Sequence, residues 1–242
     1  MENINSGHIE ESVKQSSLFG KLSGSIIHDL KGPLNNIHGF IQILKFDPAI
    51  QGLDKNIIEM MEKSCDKLNI LVSDLLEINK INSGFYKADF ELFTIGKLVR
   101  EVIDQNLISI YNKQLKIRID LDDEFEAFVD KQKIMRVFDN ILSNAIKFSY
   151  SGSFIDIKLY RASQKFHVEF KDYGTGIKNE TLNLMLEPFS VKGETGTNGE
   201  KSTGFGLYIS KYIISELHGG EISIANHESK GTLVKIVLPI KL

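Results

Sequence analysis

Apolar residues recur at steps of three and four along the first eighty positions, which predicts two amphipathic helices. The stripe of the first predicted helix comprises Leu18, Leu22, Ile26, Leu30, Leu34, Ile37, Ile41 and Leu44. The stripe of the second comprises Ile58, Met61, Cys65, Leu68, Val72 and Leu75. Asp47-Pro48 and Gly52 between the stripes predict a break in the chain's helical course. We therefore expect a helical hairpin.

The apolar face of this hairpin is broad. The second stripe steps alternately by three and four, as a heptad seam does, and Ile57, Leu71 and Ile78 lie beside the seam and widen it. One hairpin cannot cover such a face, so we expect two copies to pair into a dimeric four-helix bundle. The alternative is that the hairpin packs on the domain that follows it.

The apolar pattern changes near residue 84, after which short alternating segments predict strands and longer ones predict helices. The predicted strands are Asp89–Phe93, Lys116–Asp122, Ala127–Asp130, Phe154–Arg161, Phe166–Lys171, Glu221–Ala225 and Leu233–Ile240. The predicted helices are Ile95–Asn112, Lys133–Phe148 and Phe205–Leu217. Neighbouring strands favour antiparallel pairing, so we expect an α+β sandwich of helices on a mixed sheet. We expect three regions: a polar lead-in at 1–16, the hairpin at 17–84 and this second domain at 85–242.

Composition and charge narrow the class of protein. The formal net charge is −3 and no basic patch stands out, so we do not expect a nucleic-acid partner. Cys65 is the only cysteine, which excludes an internal disulfide and favours a reducing compartment. No apolar run is long enough to cross a bilayer and the start of the chain is polar. We expect a cytoplasmic location without membrane contact, either alone or as the cytoplasmic portion of a longer sensor.

His28 lies on the face of the first predicted helix that is opposite the apolar stripe. The residues around it at helical spacing are small or polar, which leaves the imidazole accessible. Pro33 cannot donate the backbone hydrogen bond that the carbonyl of Asp29 would accept, so the helix should loosen there. The Asp29 carboxylate can hold one ring nitrogen protonated and leave the other as a nucleophile. A solvated surface histidine is the alternative for a lone His-Asp pair.

The chain has no G-x-x-x-x-G-K-[ST] loop and no complete G-x-G-x-x-G motif, so neither common nucleotide loop is predicted. Instead, Asn140 and Asn144 share one face of a predicted helix, and amide oxygens suit Mg²⁺ beside phosphate oxygens. A polar surface stripe is the alternative. Further along, Asp172-Tyr173-Gly174-Thr175-Gly176 ends a predicted strand with an acid that can accept a hydrogen bond from an exocyclic amine.

A polar segment, Ser190–Thr203, separates two further motifs and predicts a mobile loop over a site. Glu187-Pro188-Phe189 precedes it. Thr203-Gly204-Phe205-Gly206-Leu207 closes it and begins a predicted helix, whose first amides can bind phosphate.

Taken in order, these motifs resemble those of sensor histidine kinases. His28-Asp29-Leu30-Lys31-Gly32-Pro33-Leu34 resembles the phosphoacceptor box. The segments N-x-x-x-N-A-x-K-F, D-x-G-x-G, E-P-F and T-G-F-G-L resemble the N, G1, F and G2 boxes of the ATP-binding domain of the Bergerat-type (GHKL) fold. His218-Gly219-Gly220 and Gly231-Thr232 resemble the closing strand hairpin of that domain. The resemblance covers the chain from about Leu18 onward.

The resemblance implies an enzyme that uses ATP and Mg²⁺ to phosphorylate His28 and then passes the phosphate to an aspartate of a response-regulator receiver domain. Asp29 would orient or deprotonate the histidine. A non-catalytic ATP-binding dimeric signalling module is the alternative. Gly32 replaces the Thr or Asn that many members carry four residues after the histidine, which predicts weak phosphatase activity toward the regulator. Ser202 replaces a glycine that often begins the G2 box.

The resemblance also implies a set of nucleotide-binding residues. Asn144 would bind Mg²⁺, Asn140 and Lys147 the phosphates, and Asp172 the amino group of adenine, with Phe148 packed near the base. The segment 190–203 would be the ATP lid, with Lys192 and Lys201 as phosphate contacts. Backbone close to the nucleotide would come from Gly174, Gly176, Thr203, Gly204, Phe205, Gly206 and Leu207.

Overall fold

The computed structural model describes residues 30, 32–42, 55–82, 86–122, 125–182, 184–187, 196–197, 204–227 and 230–241. The chain forms two compact units, Met1–Tyr86 and Lys87–Leu242. Among the described residues, none of the helices combines the length and apolarity that crossing a membrane requires.

The first unit is helical, as the apolar stripes predict. Residues 32–42 form α1, and α2 spans Lys55–Asn82. Leu71, Ile78 and Ile81 form the buried side of α2. The Tyr86 hydroxyl donates to a carboxylate oxygen of Glu77 at 2.8 Å, which ties the chain after α2 back to that helix. The predicted break at 47–52 lies outside the described residues.

The second unit contains two sheets, and the larger is mixed as predicted. Strands β1 (Glu91–Thr94) and β3 (Glu126–Val129) pair antiparallel as a small sheet. The larger sheet has the order β2-β4-β5-β7-β6, in which β2 and β4 are parallel and the other neighbours antiparallel. Its strands are β2 (Lys116–Leu121), β4 (Phe154–Ala162), β5 (Lys165–Asp172), β6 (Glu221–Asn226) and β7 (Thr232–Pro239).

The helices of this unit are α3 (Ile95–Gln105), α4 (Leu107–Asn112), α5 (Lys131–Phe148), α6 (Asn179–Leu182) and α7 (Gly206–Tyr212), which continues as a π-helical turn, Ile213–Leu217. Of these, α5 packs against β5 and the π-helical turn packs against β6. Alternate residues of β5 are buried beneath them, and the ring centroids of Phe170 and Phe138 of α5 lie 5.9 Å apart. This alternation explains why the strand pattern was visible in the sequence. The predicted α+β fold is confirmed.

The predicted single helix Ile95–Asn112 is wrong, because the helix is interrupted at Asn106. The side-chain amide of Asn106 donates to the carbonyl of Val102 at 3.0 Å and to the carboxylate of Asp139 on α5 at 2.7 Å. An asparagine that bonds nearby backbone competes with helical hydrogen bonds. The apolar period continues through the interruption, so periodicity alone does not reveal it.

Candidate functional site

Helix α5 carries the two asparagines, and its start is fixed by Asp130. One carboxylate oxygen of Asp130 accepts from the Lys133 amide at 3.1 Å, an N-cap bond. The other accepts from the Asp89 amide at 2.9 Å and the Lys133 ammonium at 3.0 Å. Burial alone would raise the pKa of Asp130, but these hydrogen bonds outweigh it and hold the pKa below its ordinary value.

His218 also stabilises the start of α5, through a hydrogen bond from the backbone of Asp130. The Asp130 amide donates to Nε2 of His218 at 3.1 Å, and Nδ1 lies 2.8 Å from the carbonyl of Ile213. These partners require the neutral tautomer with its proton on Nδ1. Burial lowers the pKa of His218 and favours that neutral form.

The first predicted asparagine meets the start of α7. The side-chain amide of Asn140 donates to the buried hydroxyl of Ser210 at 3.0 Å. A Cβ atom on Gly206 would lie 2.0 Å from Oδ1 of Asn140, so only glycine permits this approach. The motifs around Asn140 and Gly206 are therefore in direct contact.

The other predicted residues of α5 follow at its C-terminal end. Asn144, Lys147 and Phe148 are all half-buried. The Lys147 ammonium lies 5.2 Å from the centroid of the Phe148 ring, within cation–π range. Since Asn140 and Asn144 are one helical turn apart, both side chains project along the same side of α5.

The last carbonyls of α5 bind two groups that the sequence does not point out. The buried Lys113 ammonium donates to the Lys147 carbonyl at 2.6 Å. The amide of Thr197 donates to the same carbonyl at 3.1 Å. The Thr197 hydroxyl donates to the Ser149 carbonyl at 2.8 Å. Thr197 therefore fixes one point of the predicted lid at the end of α5.

Asp172 ends β5 and is buried, with 5% of its surface exposed. Its Oδ1 accepts from the amides of Gly174 at 2.9 Å and Thr232 at 3.1 Å. Burial raises the pKa of Asp172 despite these bonds. Both hydrogen bonds end on Oδ1, which orients the carboxyl group. Neither of these two amides donates to Oδ2.

The turn after Asp172 also meets the end of α5. A Cβ atom on Gly174 would lie 2.0 Å from the carbonyl oxygen of Phe148. The Thr175 amide donates to that oxygen at 3.2 Å, and Ser149 and Gly174 form an isolated β-bridge. Three of the predicted motifs are thus brought together around α5.

The remaining predicted residues divide into described and undescribed ones. Gly204 has φ +77°, Phe205 is buried, and Leu207 lies in the first turn of α7, which begins at Gly206, one residue after the predicted start at Phe205. The Glu187 carboxylate accepts from the Lys211 ammonium of α7 at 2.8 Å. The residues that lie outside the described part of the chain are His28, Asp29, Pro188, Phe189, Lys192, Lys201, Ser202 and Thr203.

Sequence reasoning overlooked several residues that hold this site. Asn226 and His227, at the end of β6, bond the turn after Asp172. Lys113, Thr197 and Ser210 support α5. In the sequence, Thr232 stands out only as part of the Gly231-Thr232 pair. Polar residues at strand ends and helix junctions carry no periodic signal, so their partners become visible only in the fold.

Two family models match the chain. The model of the histidine kinase-, DNA gyrase B-, and HSP90-like ATPases matches residues 129–242. The model of the His Kinase A (phospho-acceptor) domain matches residues 20–84. Together they cover most of the sequence. The chain belongs to the histidine kinase family. ATP binding is the property that the first of these models assigns to the second unit.

Curated relatives and solved structures agree with this family. The chain is 31% identical to sporulation kinase A of Bacillus subtilis over 93% of its own length, and 28% identical to the autoinducer 2 sensor kinase/phosphatase LuxQ of Vibrio parahaemolyticus over 96%. It spans 35% and 28% of those two proteins. The fold matches the histidine kinase ThkA, solved with the response regulator protein TrrA, with a TM-score of 0.74, 22% identity, and coverage of 99% of this chain and 67% of that one.

Proposed function

We propose that this histidine kinase core transfers the γ-phosphoryl group of ATP to His28 and then to an aspartate of a response-regulator receiver domain. The observation that carries the proposal is the contact of α5 with both the turn after Asp172 and the start of α7. Those contacts gather the nucleotide-binding motifs in one place. We assign the transfer step to a hairpin domain at 17–84 and nucleotide binding to residues 85–242.

We assign Asp172 to recognition of the adenine base. Because Oδ1 is engaged by two backbone amides, Oδ2 is the oxygen that would accept from the exocyclic amine of adenine. The half-buried Phe148 would pack near the base. Gly174, Gly176, Gly204 and Gly206 would let backbone approach the nucleotide, with Thr203, Phe205, Leu207 and Lys192 nearby.

Asn144 would hold Mg²⁺ through its amide oxygen, together with phosphate oxygens. An oxygen donor on a half-buried helix face suits this hard cation. Bound Mg²⁺ supplies neutralisation of phosphate charge. Lys147 adds a cation from the protein, two turns after Asn140, the other residue assigned to the phosphates.

Few protein groups take part directly in the phosphoryl transfer. An unprotonated ring nitrogen of His28 attacks the γ-phosphorus, the bond to the bridging oxygen breaks, and ADP leaves. Asp29 keeps the proton on the other ring nitrogen and so stabilises the positive charge that develops. Positioning and charge neutralisation provide most of the rate acceleration.

A homodimer through the helical hairpin is part of the proposal. Several large apolar side chains of α1 and α2 are exposed in the single chain: Leu34, Ile41, Met60, Ile70, Val72 and Leu76. Val72 belongs to the predicted heptad seam, and burying such residues against a second copy is what a four-helix bundle does.

The regulator partner rests on similarity to ThkA, which was solved with a response regulator, and on the family itself. We also propose that phosphatase activity toward the regulator is weak, because Gly32 is exposed and has no side chain to position a water molecule. Rapid Mg²⁺-dependent dephosphorylation of the regulator by this chain, without nucleotide, would contradict that proposal.

The test of the main proposal is incubation with γ-labelled ATP and Mg²⁺. Label should appear on the chain, be lost in acid and survive base, as phosphohistidine does. His28→Ala should abolish it, whereas the matched control His38→Ala, an exposed histidine on α1, should retain it. Label that persists in His28→Ala overturns the assignment of His28. ATP binding without label in the wild type favours the signalling-module alternative.

A further inference from the structure

The turn that carries Asp172 is held at its far end by one exposed side chain. Asn226 is the last residue of β6. Its Oδ1 accepts from the Ile177 amide at 2.8 Å, and its Nδ2 donates to the Ile177 carbonyl at 2.6 Å. One amide group thus pairs with both backbone groups of a residue, as a neighbouring β-strand residue does. Asn226 extends the pairing of the sheet onto the turn.

The next residue holds the near end of the same turn. Nε2 of His227 lies 2.7 Å from the carbonyl oxygen of Asp172, to which it donates. The His227 ring meets Tyr173 edge-on, with centroids 5.1 Å apart. Two consecutive residues, Asn226 and His227, therefore fix the first and last residues of the turn; we call this pair the β6 clasp.

The turn lies directly against the clasp. A Cβ atom on Gly176 would stand 3.1 Å from Oδ1 of Asn226, tighter than ordinary contact. Thr232, across the hairpin from Asn226 in the β6–β7 register, donates its amide to Oδ1 of Asp172. The same hairpin end thus sets both the path of the turn and the direction of the Asp172 carboxyl group.

We infer that Asn226 is a positioning residue that sets the preference of the site for adenine over guanine nucleotides by fixing the turn that carries Asp172. The inference rests on the proposed function. Adenine carries an amine where guanine carries a carbonyl oxygen, so a correctly placed carboxylate favours adenine and repels guanine. A turn released at Ile177 loses that discrimination.

Asn226 is well suited to a test because it is exposed. Truncating an exposed side chain leaves no cavity, and water can satisfy the freed groups of Ile177. A purely structural role therefore predicts similar affinity for both nucleotides after substitution, or an equal loss for both. A positioning role predicts a loss for ATP alone.

The experiment measures the dissociation constants of Mg-ATP and Mg-GTP for the full chain by calorimetry, together with kcat and KM for self-labelling. Asn226→Ala should weaken ATP binding about tenfold and change GTP binding less than about twofold, with kcat at saturating ATP nearly unchanged. Asn226→Asp, which keeps the shape but loses the donor to Ile177, should show the same selective loss. Asn179→Ala is the control, since Nδ2 of Asn226 reaches its side chain only at 3.4 Å.

The outcomes separate the two claims. A wild type that binds no ATP overturns the proposed function. A wild type that binds ATP and labels itself, with Asn226→Ala and Asn226→Asp unchanged or equally impaired toward both nucleotides, overturns only the inference about Asn226. A selective loss that also appears in Asn179→Ala overturns it as well.

Discussion

The side-chain amide of Asn140 donates to the hydroxyl of Ser210, 3.0 Å away, and this bond joins the middle of α5 to α7. Ser210 is 2% exposed, so the bond is shielded from water. The asparagine that the sequence assigns to phosphate contact thus also connects two helices of the proposed nucleotide site.

Ser210→Ala removes the acceptor of that bond. We expect a loss of about 1 kcal/mol in the free energy of unfolding, because the Asn140 amide loses its partner. Chemical denaturation measures it. Ser143→Ala is the matched control, because Ser143 is an exposed residue of α5, the helix that carries Asn140. Its effect on the free energy of unfolding should stay within about 0.5 kcal/mol. Equal effects of the two substitutions would contradict the expectation.

Gly206→Ala should destabilise the second unit by about 1–3 kcal/mol, since the new methyl group would overlap Oδ1 of Asn140. Adding Asn140→Ala removes the overlapping atom. The double variant should therefore be more stable than the sum of the single effects predicts, by about 1 kcal/mol. If the two changes in unfolding free energy were strictly additive in denaturant titrations, the side chain at 206 would not clash with Asn140.

Asp172 should make stability depend on pH in an unusual direction. Its pKa is raised by burial, so ionising it costs stability: the stability is full below the ordinary value of 3.8 and falls as pH rises through the raised pKa. Asp172→Asn keeps an oxygen for the two backbone amides and cannot ionise. Unfolding free energies of the two proteins should thus diverge as pH rises above about 3.8, in favour of the asparagine variant.

The same Asp172→Asn variant should bind ATP much more weakly at neutral pH. Its amide oxygen remains on the backbone donors, so an NH₂ group faces the adenine amine. The variant should stay folded, but its affinity for ATP should fall at least about tenfold, because the adenine amine loses its acceptor. Undiminished ATP affinity by calorimetry would remove Asp172 from base recognition.

Asp130 should show the opposite pH dependence. Its pKa is lowered overall, so its contribution is full above the ordinary value of 3.8 and is lost as pH falls through the lowered pKa. Asp130→Asn should lower the free energy of unfolding by about 2 kcal/mol at pH 7. The Lys133 ammonium and the Asp89 amide lose a charged acceptor, while asparagine still serves as an N-cap residue. The difference between the proteins should shrink in acid. A constant difference from pH 7 to below 3.8 would be inconsistent with a carboxylate role.

Substituting the exposed α2 face tests the proposed dimer. Val72→Glu with Leu76→Glu should give a monomer by light scattering, since two charges would be buried between the two copies, and ATP affinity should be unchanged. Lys63→Glu, an exposed residue on the opposite side of α2, should remain dimeric. A dimer that survives the double substitution would exclude this face as the interface.

Much of the fold could be predicted because its elements bury one face. The alternation of Phe166, Val168 and Phe170 follows directly from a strand with helices on one side. The interruption at Asn106 could not be predicted, because one of the two hydrogen bonds of its side chain goes to Asp139, which is 33 residues away. The same holds for the parallel pairing of β2 with β4, since a period of two is the same in either direction.

The candidate site divides in the same way. Gly206 and Asn140 carried a recognisable motif, and the structure places them in contact. Lys113 and Asn226 carried none, because a lysine at a helix end and an asparagine at a strand end look like ordinary surface residues. Their partners are main-chain groups, the carbonyl of Lys147 and both groups of Ile177, and any sequence supplies such groups everywhere.

The bond between the Thr232 amide and Asp172 spans 60 residues. During synthesis, the turn after Asp172 leaves the ribosome well before the hairpin that holds it. At about 5–20 residues per second, several seconds separate the two segments. A nascent chain in that interval has Asp172 and the Gly174 amide but not the Thr232 amide that completes the orientation of the carboxylate. Competence to hold nucleotide should therefore arise late, when β7 enters the sheet between β5 and β6.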